Sequence, residues 1–273
     1  MRKLSILALV GAMSIVLALP GGAITNGERT DDHPEVVLII MDVDGEPAYR
    51  CSGALMSPTI VLTAGHCAGA PGEFTGLRVF TEADVQNGDN DYPFGGGNNT
   101  IEVKNWAAHP DYPDFPFFVN DVGVLELEEP YVIDSSNYAS LPEVNALDAL
   151  NTRRGRENVT FNAVGYGLQR INPVFVESDR ARYEASPRLI QINVPGFTGD
   201  FSMLLSNNHS TGGTCFGDSG GPNYFGDGTD RVVAAVTSFG INGNCAGTGG
   251  VFRVDRENVQ EFIYDFRDNP YTP

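Results

Sequence analysis

The chain has 273 residues, 41% of them hydrophobic and 10% aromatic, enough apolar material for a substantial core, which excludes a disordered segment. Its 17 basic and 35 acidic residues give a formal charge of −18, which repels nucleic acid and anionic membrane and removes both as partners. The length suits one large domain or two small ones.

The chain opens as a secretory leader. Arg2 and Lys3 form a short basic region, and Leu4 to Leu19 is an apolar run broken only by Ser5, Gly11 and Ser14. Gly21 and Ala23 then occupy the −3 and −1 positions of a cut after Ala23. The run is shorter than the roughly 20 residues that span a bilayer, so cleavage and export are expected. The destination is extracellular, or periplasmic in a Gram-negative host. The mature chain then carries 15 basic against 35 acidic residues, a charge of −20 that keeps it soluble. A cut after Ala18 is the alternative and leaves a five-residue propeptide.

Beyond the leader the pattern is all-β. Strands are predicted at Val36–Val43, Thr59–Thr63, Leu77–Phe80, Val122–Leu127, Val159–Val164, Leu189–Val194, Val232–Ser238 and Gly250–Val254. Gly, Pro, Asn and Asp clusters separate them, as in a barrel or sandwich. Residues 87–100 read as a polar loop. Asp84, just before it, and Asp89 and Asp91 within it lack calcium-ligand spacing, so a solvated acidic loop is expected. Tyr131 to Asn158 is polar and connects two halves. Val259, Phe262, Ile263 and Phe266 recur at helical spacing after Asp255, a candidate N-cap, predicting one terminal amphipathic helix. Four cysteines (Cys51, Cys67, Cys215 and Cys245) in an exported chain suggest two disulfides, with three pairings open.

Three segments carry chemistry. Gly217-Asp218-Ser219-Gly220-Gly221-Pro222 places a serine among glycines that permit unusual dihedrals and close substrate approach. A hydroxyl becomes a nucleophile only with a base to take its proton and donors to receive the oxyanion, here the amides of Gly217 and Ser219. Thr63-Ala64-Gly65-His66-Cys67 follows a predicted strand and offers the base, since histidine titrates near operating pH. His33 and His109 precede prolines and His209 lies in a polar stretch, so they read as surface or structural. Asn120-Asp121-Val122-Gly123 opens an apolar strand with a carboxylate able to fix the imidazole tautomer.

Together these segments resemble the chymotrypsin/trypsin family of serine endopeptidases, in the order His, Asp, Ser. Ile24-Thr25-Asn26-Gly27 is similar to that family's mature amino terminus, His109-Pro110-Asp111-Tyr112 lies upstream of the Asp as it does there, and Gly165-Tyr166-Gly167 and Ser238-Phe239-Gly240 resemble its Gly-Trp-Gly and Ser-Trp-Gly segments. The resemblance implies two packed six-stranded antiparallel β-barrels, roughly 24–130 and 131–273, with a C-terminal helix and the active site between them. It implies a triad of His66, Asp121 and Ser219, an oxyanion hole from Gly217 and Ser219, and disulfides Cys51–Cys67 and Cys215–Cys245. Ile24, freed by leader removal, is expected to pair with Asp218. Gly213 and Thr214 are expected at the pocket base, Gly240 and Gly250 as its walls, Phe216 at the rim, and Ser238, Phe239 and Gly240 along the substrate backbone. No charge at residue 213 awaits a basic side chain, so cleavage after large apolar or aromatic residues is expected, with small residues as the alternative. No cofactor and no metal are implied. The expected partners are protein or peptide substrates and protein protease inhibitors, and the chain is expected to be a monomer. A catalytically silent binding module and an esterase are the competing functions.

Overall fold

The computed structural model describes residues 24–113, 115–151, 159–172, 175–194 and 197–273. The leader expected over 1–23 and the end of the connecting segment at Asn158 lie outside the described residues. No helix among the described residues is long and apolar enough to cross a membrane.

Strand β1 (Glu28–Arg29) precedes a six-stranded barrel made of β2 (Val36–Val43), β3 (Glu46–Leu55), β4 (Ile60–Thr63), β5 (Gly76–Phe80), β6 (Thr100–Ala108) and β7 (Gly123–Leu127). It closes in the order β2-β3-β4-β7-β6-β5. The run Val36–Met41 is apolar at every position because both faces of β2 are buried. Val37, Ile39 and Met41 join a core of first-half residues, while Val36, Leu38 and Ile40 join a cluster shared with the second half. Each buried Val or Ile contributes about 1.5–3 kcal/mol relative to exposure.

The second half holds β8 (Phe161–Gly165), a β9–β10 hairpin (Arg170–Asn172 and Phe175–Glu177), β11 (Tyr183–Ala185), β12 (Leu189–Ile192), β13 (Ser202–Asn207), β14 (Pro222–Phe225), β15 (Val233–Gly240) and β16 (Gly247–Arg253). Its sheet runs β1-β11-β8-β14-β15-β16-β13-β12. β11 and β12 are parts of one strand bent at Ser186-Pro187-Arg188: the first part pairs with β8 and the second with β13. A bridge from Thr160 to Arg188 joins the ends, so six strands form the second barrel and β1 is added at its edge.

The termini cross between the halves. β1 pairs with β11, so the first described residues attach to the second barrel. The helix α2 (Glu257–Asp268) buries Val259, Phe262, Ile263 and Phe266 in the cluster shared by both halves, and Phe262 meets the His109 ring edge-on at 5.2 Å. The expected N-cap is corrected. Arg256 is the cap residue, and Asp255 is spent on Arg253, whose guanidinium is fully buried, at 2.7 and 2.9 Å, and on the Leu147 amide. A buried cation must be paired before a helix end can claim its carboxylate.

Candidate active site

The imidazole is set by a chain that leaves β4 at Thr63 and makes a single helical turn, α1 (Gly65–Ala68). The Cys51–Cys67 disulfide ties that turn back to β3. Asp121 sits just before β7, fully buried, after Asn120 in a left-handed turn. It accepts the His66 backbone amide at 2.9 Å and faces His66 Nδ1 with both carboxylate oxygens at 3.0 Å. Ser238 Oγ on β15 donates to the same carboxylate at 2.5 Å. An ionised carboxylate only accepts, so the proton resides on Nδ1 and Nε2 is left as a base. Burial pulls the His66 pKa down, but the charge and hydrogen bond of Asp121, helped by Glu73, outweigh it, and the net shift is upward. The sulfurs of Cys51 and Cys67 also lie near this ring, but both are committed to the disulfide and are not metal ligands.

Ser219 follows three peptide units whose carbonyls are each held from behind. The Leu168 amide donates to Phe216 O at 2.9 Å, Ser52 Oγ to Gly217 O at 2.9 Å, and the Gly221 amide to Asp218 O at 2.8 Å. In a trans peptide the N–H points opposite to the C=O, so fixing the first and third carbonyls turns the Gly217 and Ser219 N–H groups the other way. Neither amide is engaged by a protein acceptor among the described residues. Gly217 adopts φ +96°, and Gly220 adopts φ +76° where a Cβ would lie 2.0 Å from Thr63 Oγ1, so glycine is required at both.

His66 and Ser219 line one cavity of about 350 Å³, with Thr214, Phe216, Gly240 and Asn242 among its other walls. No hydrogen bond joins them; that contact is often long in an unliganded enzyme and tightens with substrate. The wall expected at Gly250 is corrected. β15 and β16 pair Gly240 with Gly249 and Phe239 with Gly250, and a Cβ at Gly250 would strike the Phe239 ring at 2.2 Å. Gly249 therefore faces Gly240, with a Cβ position 3.2 Å from Thr214 Oγ1. Gly213 also lies off the cavity lining: Asn207 of β13 fills the space beside it, accepting from Thr25 Oγ1 at 2.5 Å and donating to Thr214 O at 2.8 Å. Phe216 is exposed at the rim, and the disulfide Cys215–Cys245 borders the cavity.

Ile24 is fully buried against Ala163, Ala181, Tyr183 and Ala185, and the following Thr25 bridges to Gly213, beside the serine loop. The chain continues upstream of Ile24, so its nitrogen is an amide. Asp218 is fully buried and accepts instead from the amides of Gly167 at 2.7 Å and Cys215 at 2.8 Å. Burial dominates, those amides and the Arg50 charge only partly offset it, and the carboxyl is pushed up to about 7.

Ser52 and Asn207 are the site residues that the sequence did not announce. Ser52 adjoins Cys51, which was the only available signal; Asn207 lies on a strand the pattern does not mark.

The Trypsin family profile matches residues 24–263. Trypsin 5G1 of Aedes aegypti is 30% identical over 210 residues, covering 75% of this chain and 71% of that protein. Serine protease Hayan of Drosophila melanogaster is 28% identical over 229 residues, covering 79% of this chain, which thus spans only 35% of that longer protein. Among solved structures, HL collagenase superposes with a TM-score of 0.70 at 18% identity, covering 91% of this chain and all of that one, a likeness of fold.

Proposed function

Because the chain belongs to the trypsin family of serine endopeptidases, we propose that it is a secreted enzyme that cleaves peptide bonds through Ser219, His66 and Asp121. Ser219 Oγ attacks the scissile carbonyl while His66 Nε2 takes its proton. The new tetrahedral oxygen receives the Gly217 and Ser219 N–H groups. His66 then donates its proton to the leaving amine, and an acyl-enzyme remains for water to hydrolyse. Asp121, held by Ser238, keeps the imidazole in one tautomer and stabilises its cation.

The observation that carries the reading is a buried carboxylate bonded to both the amide and the ring of His66, in a cleft that also holds Ser219 and two uncommitted amides. Apart from His66 the cavity lining carries no ionisable side chain, Gly240 leaves part of its wall bare, and Phe117, Phe216 and Phe239 give it apolar surface, which favours a large apolar or aromatic residue before the scissile bond. Signal cleavage after Ala23 is proposed to free the Ile24 amine for Asp218, whose buried carboxyl is bonded to two backbone amides and to no cation among the described residues.

The test is a fluorophosphonate probe on the mature protein, followed by peptide-library profiling. Labelling of Ser219 that disappears in Ser219→Ala, with cleavage after Phe, Tyr or Leu, is expected. A mature protein that resists the probe is a silent module and refutes the reading. Amino-terminal sequencing should give Ile24; a fully active protein beginning at Leu19 refutes the activation step.

A further inference from the structure

We propose that a second cavity, on the leaving-group side of the cleft, binds a carboxylate side chain of the substrate through Arg50 and Arg180. The inference rests on the peptidase reading above and adds a selectivity that the main pocket does not supply.

On this strongly acidic chain Arg29, Arg78, Arg231, Arg253, Arg256 and Arg267 each have a carboxylate within 3.6 Å. Arg50 and Arg180, like Arg170, Arg182 and Arg188, have none among the described residues, and what sets Arg50 and Arg180 apart is that they stand together in one cavity. Both line one cavity of about 420 Å³, walled by Tyr49, Tyr92, Pro93 and Ser178. Their guanidinium groups converge on Ser178. Arg50 Nη2 donates to its hydroxyl at 3.4 Å, and Arg180 Nη1 to its carbonyl at 2.8 Å. The Arg180 guanidinium also rests over the Tyr92 ring at 5.7 Å. Its Nε is buried with no acceptor, a donor without the partner that buried polar groups require.

The cavity's place gives it a purpose. Arg50 immediately precedes Cys51, whose disulfide partner follows His66. Its Nε lies 2.8 Å from where a Gly217 Cβ would stand, against the outer side of the oxyanion loop. The main cavity lies on the other side of that loop, among Thr214, Cys215, Gly240 and Cys245, and the two share no lining residue. With the acyl part of a peptide along Ser238–Gly240, the residues after the scissile bond leave over Cys51–Cys67 toward Arg50. Two forked guanidiniums anchored by one serine match a planar carboxylate, which accepts two parallel N–H bonds. The flanking tyrosines and prolines suit the aliphatic stem of a glutamate. The charge of the whole molecule repels acidic peptides, so any preference for one must come from a local site such as this.

The experiment uses the mature enzyme and paired peptides that differ only by Glu or Gln at each of the first three positions after the scissile bond. At one position the Glu peptide should be cleaved with a kcat/KM about tenfold higher, a difference of about 1.4 kcal/mol. Arg50→Gln and Arg180→Gln should each bring that ratio to within about twofold of unity. The ratio is internal to each variant, so a general loss of activity from Arg50, which touches the oxyanion loop, cancels, and Arg180 lies farther from that loop. Equal cleavage of every Glu and Gln pair by the unsubstituted enzyme overturns the proposal, as does a preference that survives in both variants. An enzyme that cleaves apolar test peptides yet shows no acidic preference refutes this site alone; one that cleaves nothing refutes the peptidase reading and this site with it.

Discussion

Removing the Ser52 hydroxyl isolates the part of catalysis that depends on how the oxyanion loop is held. That hydroxyl donates to Gly217 O at 2.9 Å and accepts from the Tyr166 amide at 3.0 Å, in a residue that is fully buried. Ser52→Ala therefore strands one carbonyl and one N–H away from water. Each orphan costs about 1–3 kcal/mol, the half-buried Gly217 carbonyl about 1 and the buried Tyr166 N–H up to about 3, so global stability should fall by roughly 2–4 kcal/mol. The kinetic effect should be smaller than outright loss of an oxyanion donor, which costs about 10²–10³ in kcat. The reason is that Leu168 still holds Phe216 O, and with it the plane carrying the Gly217 N–H. A fall of about tenfold in kcat, near 1.4 kcal/mol, with little change in KM, is the expected result.

Initial rates on a chromogenic peptide supply kcat and KM, and a peptide aldehyde, which forms a tetrahedral oxyanion on Ser219, supplies an affinity that should fall in parallel. A non-covalent peptide lacking the aldehyde should bind as before. Thr63→Val is the control: Thr63 Oγ1 donates to the carbonyl of the same Ser52 at 2.8 Å but does not touch Gly217. It should lower stability while leaving kcat within about twofold. Unchanged kcat and aldehyde affinity in Ser52→Ala, or an equal loss of kcat in Thr63→Val, refutes the reasoning.

Three further outcomes are expected. The base must be neutral and its pKa is raised by Asp121, so the acid limb of kcat/KM should have its midpoint above 6.5; a midpoint below 6 in a pH-rate profile contradicts the assignment. Gly249→Val narrows the wall opposite Gly240 and should cut turnover of Phe and Leu peptides by at least about a hundredfold while sparing Ala peptides, and equal losses on both would refute the placement of the wall. In protein that retains residues 1–23, Asp218 binds its proton in the folded state up to about pH 7 but unfolds to an ordinary carboxyl. Stability should therefore fall as pH rises from about 4 to 7, by on the order of 4 kcal/mol at most. Asp218→Asn should flatten that slope in chemical denaturation, and an unchanged slope would exclude Asp218 as its source.

Where a local backbone demand writes a short string, the sequence is legible; where a partner lies far along the chain, it is not. The strand Val36–Met41 is visible because both its faces are buried. β3 is not, since Glu46–Arg50 is largely exposed and includes Pro47, and its pairing is dictated by β2. β6 and β13 escape for related reasons: exposed Glu102 and Lys104 interrupt the first, and the polar ends Ser202, Ser206 and Asn207 of the second are buried by neighbours rather than by pattern. The segments around His66, Asp121 and Ser219 stand out because a nucleophile turn needs its glycines in immediate sequence. Ser52 does not stand out, because its acceptor Gly217 is 165 residues away. Gly249 and Gly250 cannot be told apart in the sequence: only the register of β15 on β16 puts Gly250 under the Phe239 ring and Gly249 beside Thr214.

The candidate site also explains why so many polar contacts cross between the barrels. His66 and Asp121 belong to the first barrel and Ser219 and Ser238 to the second, so a small slip between barrels would separate base from nucleophile. Hydrophobic packing resists separation but has little directional preference. Directional bonds at the seam supply what it lacks. Ser52 N–H donates to Ser219 O at 2.8 Å, Tyr166 Oη donates its one hydrogen to Glu82 O at 2.8 Å with Val36 O beside it at 3.2 Å, and Tyr224 Oη donates to the fully buried Glu35 at 2.7 Å. Arg182 reaches from the second barrel to Thr81 O at 3.1 Å. All of these partners lie far apart in the chain, and their bonds form only when both barrels are folded and in register. Alignment of the proposed triad is thus a property of the seam, and substitutions there should reduce kcat at peptide-binding affinities that remain close to those of the unsubstituted protein.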